Sequence, residues 1–263
     1  MLHSAVEKFC PPIDFFIDLI DSQTPFQFAK LNHCFWDAAL SVKKNPNMTG
    51  ADLPAHLPEG WIHFHGMEFM LDMFSVIADI PNTSLFFGAS DCAAPGLAAY
   101  NYNKDQEIRD LISTSFPRRY RLFYGPIMKK YALEGTLHNF LKLLADERDV
   151  LIVGMSHTRK IQQQFAFKSF RHFELDLHKT TINRLQTLGQ IQTVISAMNK
   201  PVVLFQAGES LSLWFIYHLQ KTQPFATTMD IGRALDVWAI PEYSPKCMPD
   251  LQSPQWKNLF KNA

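Results

Sequence analysis

The sequence predicts an α/β protein: an open, mostly parallel, Rossmann-like sheet with helices on both faces, preceded by a helical N-terminal region. From residue 84 onward, short apolar runs alternate with longer helical stretches. Continuous apolar strands separated by helices are typical of a parallel sheet that is covered on both faces. Before residue 84, apolar residues recur at helical spacing. With 47% hydrophobic and 19% charged residues, the 263-residue chain has the composition of a globular protein with a large core.

Composition excludes several functional classes. The 25 basic residues balance 25 acidic ones, so the chain has no net charge that would attract polyanions in the manner of a histone. The four cysteines lie far apart without a C-x-x-C pair, which argues against a zinc ribbon, a redox motif or a dense disulfide framework. The N-terminus is acidic and no apolar run approaches the roughly 18 residues of a spanning helix. We therefore expect a cytoplasmic protein without a membrane span.

Three regions are predicted along the chain: a helical N-terminal region at 1–83, an α/β domain at 84–240 and an irregular C-terminal tail at 241–263. Three prolines between residues 45 and 58 predict a loop inside the first region. The apolar spacing predicts helices on both sides of this loop, at 15–20, 26–39 and 61–80.

Strands and helices then alternate in the predicted α/β domain. The predicted strands are SLFFG, YRLFYG, DVLIVG, HFELDL, PVVLFQAG and ATTMDIG. The predicted helices are KDQEIRDLIST, KKYALEGTLHNFLKLLADE, TINRLQTLGQIQTVISAMNK and ESLSLWFIYHLQK. Because ligands of open α/β sheets bind at the carboxyl ends of the strands, the residues after each strand are the candidates for function.

Four of these strand ends carry residues that suit a ligand. Grouped by strand end, they are Gly88, Ser90 and Asp91; Gly154, Ser156, His157 and Arg159; Gly208, Glu209 and Ser210; and Asp230, Gly232 and Asp236. Glycines, a serine and a cation after a buried strand suit phosphate binding, but each glycine is equally consistent with a tight turn. The carboxylates of Asp230 and Asp236 can hold a sugar hydroxyl, a metal or a reacting proton. Alternatively, Asp230 caps the next turn and Asp236 is solvated.

Two other patterns leave alternatives open. Arg118, Arg119 and Arg121 interleave with aromatic residues, a combination that binds phosphates or stacks bases, but also forms an ordinary solvated face over a core. His63 and His65 resemble a pair of metal ligands, although no third ligand at a recognised spacing accompanies them and a structural role is favoured.

Four segments, taken in order, resemble the bacterial glycosyltransferases with the GT-D fold, a family first described as a domain of unknown function in sugar-polymer loci. These segments are FFGASD at 86–91, the V-G-x-S strand at 150–156, VVLFQAG at 202–208 and the closing M-D-I-G at 229–232. The resemblance covers about residues 84–240.

The resemblance implies a glycosyltransferase that moves a sugar from a nucleotide-sugar donor to a hydroxyl acceptor such as a saccharide. It implies catalytic or metal-binding roles for Asp91, Asp230 and Asp236, and donor binding by the other strand-end residues. The arginine cluster is the candidate acceptor site, and it alone indicates a hydroxylated nucleobase in DNA as the acceptor. The family's metal-binding D-x-E pair corresponds to Ala89 and Asp91, so one carboxylate ligand for Mg²⁺ or Mn²⁺ is missing. Either the protein binds no metal, or another acidic residue supplies the missing ligand.

The alternative function is a non-catalytic module on the same fold that binds a nucleotide or nucleic acid.

Overall fold

A computed structural model describes residues 9–31, 33–45, 66–89, 102–116 and 121–240 of this chain. It contains seven strands: β1 (Gln27–Leu31), β2 (Phe86–Ala89), β3 (Phe123–Tyr124), β4 (Asp149–Gly154), β5 (Ser169–Glu174), β6 (Pro201–Gln206) and β7 (Thr227–Asp230). All pair in parallel in one open sheet of order β3-β2-β1-β7-β6-β4-β5. The predicted fold class, an open parallel Rossmann-like α/β sheet, is confirmed.

Eleven α-helices connect or flank these strands in the described residues. They are α1 (Asp14–Asp21), α2 (His33–Lys44), α3 (Gly66–Asp79), α4 (Tyr102–Ser115), α5 (Ile127–Leu133), α6 (Leu137–Glu147), α7 (Ile161–Gln164), α8 (Leu177–Ile182), α9 (Arg184–Ser196), α10 (Glu209–Thr222) and α11 (Asp236–Ala239). Short 3-10 helices occupy Ile80–Asn82, Ser156–Lys160 and Gly232–Leu235. Over this part of the chain, no helix is long and apolar enough to cross a membrane.

Helices cover both faces of the sheet because successive strand residues point to opposite sides. In β6, Val203 and Phe205 belong to the hydrophobic core that also contains residues of α2, α3, α4, α9 and α10, and we call this side the α10 face. Val202 and Leu204 belong instead to the core that contains residues of α1, α5, α6, α7 and α11, and we call this side the α6 face. Both sides of the central strands are therefore core, which explains their nearly continuous apolar sequences.

The N-terminal region differs from the prediction at one point. Residues 27–31, predicted within a helix, form β1 in the centre of the sheet, between β2 and β7. All five residues are buried, and a short strand buried on both faces lacks the polar alternation that separates strand from helix in a sequence. The sheet thus begins before residue 84. Most of the predicted loop at 45–58 and the tail at 241–263 lie outside the described residues.

The connections after neighbouring strands leave the sheet toward opposite faces. After β1 and β6 the chain enters α2 and α10 on the α10 face, whereas after β4 and β7 it continues to α7 and α11 on the α6 face. Crevices at the carboxyl edge arise where neighbouring connections diverge in this way. In the sheet order, such crevices lie between β1 and β7 and on both sides of β6.

Candidate functional site

Most of the predicted site residues lie at the carboxyl edge of the sheet. The described ones, all at or after the carboxyl end of a strand, are Gly88, Gly154, Ser156, His157, Arg159, Gly208, Glu209, Ser210, Asp230, Gly232 and Asp236. Ser90 and Asp91 lie outside the described residues, as do Arg118, Arg119, His63 and His65.

Arg121 lies away from this edge. It precedes β3, at the amino end of the sheet, and its guanidinium carbon is 3.4 Å from the centroid of the Phe9 ring. Phe123 and Tyr131, which follow in the same aromatic cluster, are buried in the core of the α6 face. The described part of the arginine cluster therefore matches the alternative of a surface over a core, and it does not line the carboxyl edge.

A hydrogen-bonded group centred on Asp236 forms the first part of the candidate site. Oδ1 of Asp236 lies 3.0 Å from Nε2 of His157 and accepts a hydrogen bond of 2.6 Å from Nε2 of Gln206. Oδ2 accepts a 2.6 Å hydrogen bond from Nε of Arg233. Asp236 is 1% exposed, so the alternative in which it is solvated is wrong. Both oxygens of its carboxylate are in hydrogen-bond contact, and together they hold the three other side chains in position.

Nε2 of His157 lies 3.0 Å from Oδ1 of Asp236 and 3.2 Å from Nε2 of Gln206. The shorter contact favours an N–H at Nε2 that donates to the carboxylate, because an unprotonated Nε2 would face the carboxylate oxygen with a lone pair. Nδ1 of the neutral ring then carries the lone pair, and it has no hydrogen-bond partner in the residues that the structure describes. The His157 side chain is 24% exposed. A buried carboxylate thus orients a solvent-accessible imidazole, an arrangement that suits a general base.

Close packing of the backbone beneath this group requires a glycine at the end of β4. A Cβ at Gly154 would lie 3.2 Å from Cβ of Gln206 and 3.2 Å from Oγ1 of Thr158. Thr158 is itself fixed, because its hydroxyl donates to the carbonyl of Met155 at 2.7 Å and lies 2.9 Å from Nε2 of His172. Gly154, the small residue after the apolar run DVLIV, therefore leaves the space that Gln206 needs.

A buried ion pair at the ends of β1 and β7 forms the second part. Nζ of Lys30 lies 3.7 Å from Oδ2 of Asp230, and the two side chains are 8% and 1% exposed. The backbone N–H of Gly232 donates to Oδ1 of Asp230 at 2.8 Å. Gly232 has a φ of 51°, a conformation that favours glycine. A Cβ there would lie 2.9 Å from Nζ of Lys30, so a larger residue would also shift the end of the lysine side chain.

Burial dominates the electrostatics of Asp230. Loss of solvent raises the pKa of Asp230 to about 6, while the ammonium of Lys30 and the N–H of Gly232 act in the opposite direction. Among the described residues, no side chain lies within hydrogen-bond distance of Oδ2, and the Lys30 ammonium is 3.7 Å away. Asp230 therefore changes its protonation state near neutral pH, a property that active-site carboxylates often have.

Other predicted donor-binding residues have structural contacts. Oε1 of Glu209 accepts a hydrogen bond of 3.2 Å from the backbone N–H of Phe35, in the first turn of α2. Gly208 adopts a φ of 75°, which fits the tight turn that was the alternative reading of this glycine. Ser210 is buried at the start of α10. Arg159 forms a 3.9 Å ion pair with Glu174 at the surface, where both are more than half exposed.

The described residues do not fit a divalent metal. No group of three or more His, Cys, Asp or Glu side chains gathers among them. Asp230 faces an ammonium group, the oxygens of Asp236 are engaged by three side chains, and Ala89 stands where the resemblance requires a carboxylate. Mg²⁺ and Mn²⁺ need several oxygen ligands, so we derive no step through a metal.

Comparison of the chain with protein-family models, with curated proteins and with solved structures gave no match.

Two residues of the site were not predicted from the sequence. Lys30 is the one charged residue in the buried strand QFAKL, and Gln206 ends the otherwise apolar strand PVVLFQ. A polar side chain within a run that is buried on both faces must find a partner there, because an unpaired buried group costs free energy. Both strands contain such a polar residue, but the sequence does not show which group it contacts.

Proposed function

We propose that the protein is a transferase that moves a sugar from a nucleotide-sugar donor to a hydroxyl acceptor, with His157 as the general base. The observation that carries this proposal is the pairing of the partly exposed His157 with the buried Asp236 at the carboxyl edge. The resemblance of four segments to GT-D glycosyltransferases supports a nucleotide sugar as the donor.

The proposed reaction uses the free Nδ1 of His157. The acceptor hydroxyl attacks the anomeric carbon, its proton passes to Nδ1, and the bond from that carbon to the diphosphate oxygen breaks with release of the nucleotide. The imidazolium that forms is stabilised by the carboxylate of Asp236, which lies 3.0 Å from its other nitrogen. Asp236 is thus a positioning residue in this proposal, and its predicted role as the base itself is replaced by that of His157.

Cations at the same edge support binding of the donor diphosphate. Arg159 is 63% exposed two residues after His157, and Lys30 lies at the end of β1. Protonation of Asp230 leaves the charge of Lys30 uncompensated, so an anionic ligand near Lys30 and a protonated Asp230 favour each other. Asp230 is therefore proposed to respond to the donor's charge.

A non-catalytic nucleotide-binding module is the second candidate function. The replacement of the family's first metal-binding acid by Ala89 favours it. Under this alternative, the sheet holds a nucleotide without transfer of a sugar.

One experiment separates these functions. The purified full chain is heated with each of a panel of UDP-, GDP- and dTDP-linked sugars, and a stabilising donor is then incubated with oligosaccharides or with DNA that contains hydroxymethylated pyrimidines. We expect transfer, lowered about 100-fold or more by His157→Asn. The matched control is His138→Asn, which changes an exposed histidine of α6.

Each outcome of this experiment decides between the candidates. Stabilisation by a donor without transfer to any acceptor supports the binding module. Transfer at an unchanged rate by the folded His157→Asn variant refutes His157 as the base. Failure of every nucleotide sugar to stabilise the protein refutes the proposed donor class.

A further inference from the structure

A cavity of about 90 Å³ opens at the amino ends of β6 and β7, at the edge of the sheet opposite His157. It lies between the C-terminal end of α1 and the turns that lead into the two strands. Pro201 and Phe225 supply apolar wall, whereas Arg148 and Lys200 supply positive charge. None of the residues that line this cavity is acidic.

Arg148 is a buried cation that has no anionic partner in the part of the chain that the structure describes. It is 7% exposed, and its Nη2 donates to the backbone carbonyl of Ile20 in the last turn of α1. Among the described residues, no acceptor forms a hydrogen bond with its Nε, and no carboxylate forms an ion pair with its guanidinium. Buried arginines are normally paired, because removal of a charge from water is costly.

Lys200 adds a second cation in the turn before β6. Its backbone φ of 48° is left-handed, and the preceding residue is fixed because the N–H of Asn199 donates to Oδ2 of Asp149 at 2.8 Å. The exposed Lys200 and the buried Arg148 line one cavity, so an anion there meets positive charge from two elements. Phe225, which is 50% exposed, also lines this cavity.

We propose that this cavity binds a small oxyanion, a phosphate or a carboxylate, through Arg148 and Lys200. A guanidinium forms directional, charge-assisted hydrogen bonds with either group, and the anion supplies the counter-charge that Arg148 lacks. The cavity volume holds a free anion or the anionic end of a small molecule. This site is independent of the proposed transfer reaction.

The test titrates the full chain with inorganic phosphate or with acetate, at an ionic strength held constant with chloride, by calorimetry and thermal unfolding. We expect saturable binding of one of these probes with an increase in Tm, and the stronger probe identifies the anion class. Lys200→Gln should weaken binding about tenfold, the scale of one charge-assisted hydrogen bond, without a change in the Tm of the anion-free protein. Lys142→Gln, an exposed lysine of α6, is the matched control.

Variants at the cavity and at the carboxyl edge should differ in anion binding. Arg148→Met should abolish binding, although it also lowers Tm because the bond to Ile20 is lost. Equal affinity of Lys200→Gln and the unsubstituted protein, or an absence of saturable binding, would overturn the proposal. Loss of binding in Arg159→Gln, with binding retained in Lys200→Gln, would place the anion at the carboxyl edge instead.

Discussion

Nε2 of His157 lies 3.0 Å from Oδ1 of Asp236, although 79 positions separate the two residues in the chain. His157 follows β4 and Asp236 follows β7, and both connections turn to the α6 face. Gln206 ends β6, the strand between them, and donates to the same carboxylate oxygen. Three strand ends that are adjacent in the sheet thus supply one residue each to a single hydrogen-bonded group.

Asp236→Asn should lower transfer about 100-fold or more, the scale of a lost acid–base group. The amide cannot compensate the charge of a protonated His157, and in one of its orientations it places an N–H against the N–H of the histidine or of Gln206. Initial rates of sugar transfer, with the fold checked by circular dichroism, measure this effect.

Arg233→Ala is the control for Asp236. Its side chain is 58% exposed, so the loss of its bond to Asp236 should cost less than about 1 kcal/mol and leave transfer nearly unchanged. A rate for Asp236→Asn that equals the rate for Arg233→Ala would argue against a positioning role for the carboxylate.

The raised pKa of Asp230 predicts a dependence of stability on pH. Because the native pKa of about 6 exceeds the ordinary value of 3.8, the native state binds the proton more tightly than the unfolded chain does. The resulting stabilisation is fully present below pH 3.8 and is lost as the pH rises through about 6; its size is about 3 kcal/mol. Urea unfolding should therefore show that the stability of the unsubstituted protein, relative to Asp230→Asn, increases from pH 7 to pH 4. A flat difference would show that burial does not perturb this carboxyl.

Removal of Lys30 alone should be more harmful than removal of the whole Lys30–Asp230 pair. Lys30→Met leaves a buried carboxylate without its cation and should cost about 3 kcal/mol at pH 7, whereas Asp230→Asn removes the charge that burial disfavours and should cost less. The double variant removes both charges and should recover much of that loss. A double-mutant cycle in urea measures the coupling, and additive losses would mean that the 3.7 Å pair contributes nothing.

The sequence predicts the sheet well where strands and helices alternate. The strands that end near Gly154, Gln206 and Asp230 were identified because each apolar run is bounded by glycine and followed by a helix. The same logic places the residues after these strands at one edge, whatever their separation in the chain.

The partners within the site required the structure. Spacing alone left Asp236 either solvated or catalytic, because nothing in the segment DIGRALDVW shows that the chain turns back toward His157. Lys30 was missed because QFAKL has too few residues to distinguish a buried strand from a helix. Side-chain contacts between strands depend on sheet order, and the order of β1, β6 and β7 follows from packing that no local pattern encodes.

Gly154→Ala should destabilise the protein by about 1–3 kcal/mol, the usual cost of an overpacked methyl group. The new Cβ would lie 3.2 Å from Cβ of Gln206 and 3.3 Å from its carbonyl oxygen, and neither atom is the free end of a flexible side chain. Displacement of Gln206 would weaken its 2.6 Å bond to Asp236, so the rate of transfer should fall as well.

Gly189→Ala is the matched control, because it adds the same methyl group in the middle of α9 where no atom lies within 4 Å. Alanine is the better helix former, so this variant should gain about 0.5–1 kcal/mol. Urea unfolding should therefore show a lower stability for Gly154→Ala and a higher stability for Gly189→Ala, although both variants add the same methyl group. A Gly154→Ala variant as stable as the unsubstituted protein would mean that β4 and β6 separate easily at their carboxyl ends, and that Gln206 is not held tightly enough to fix Asp236 and His157.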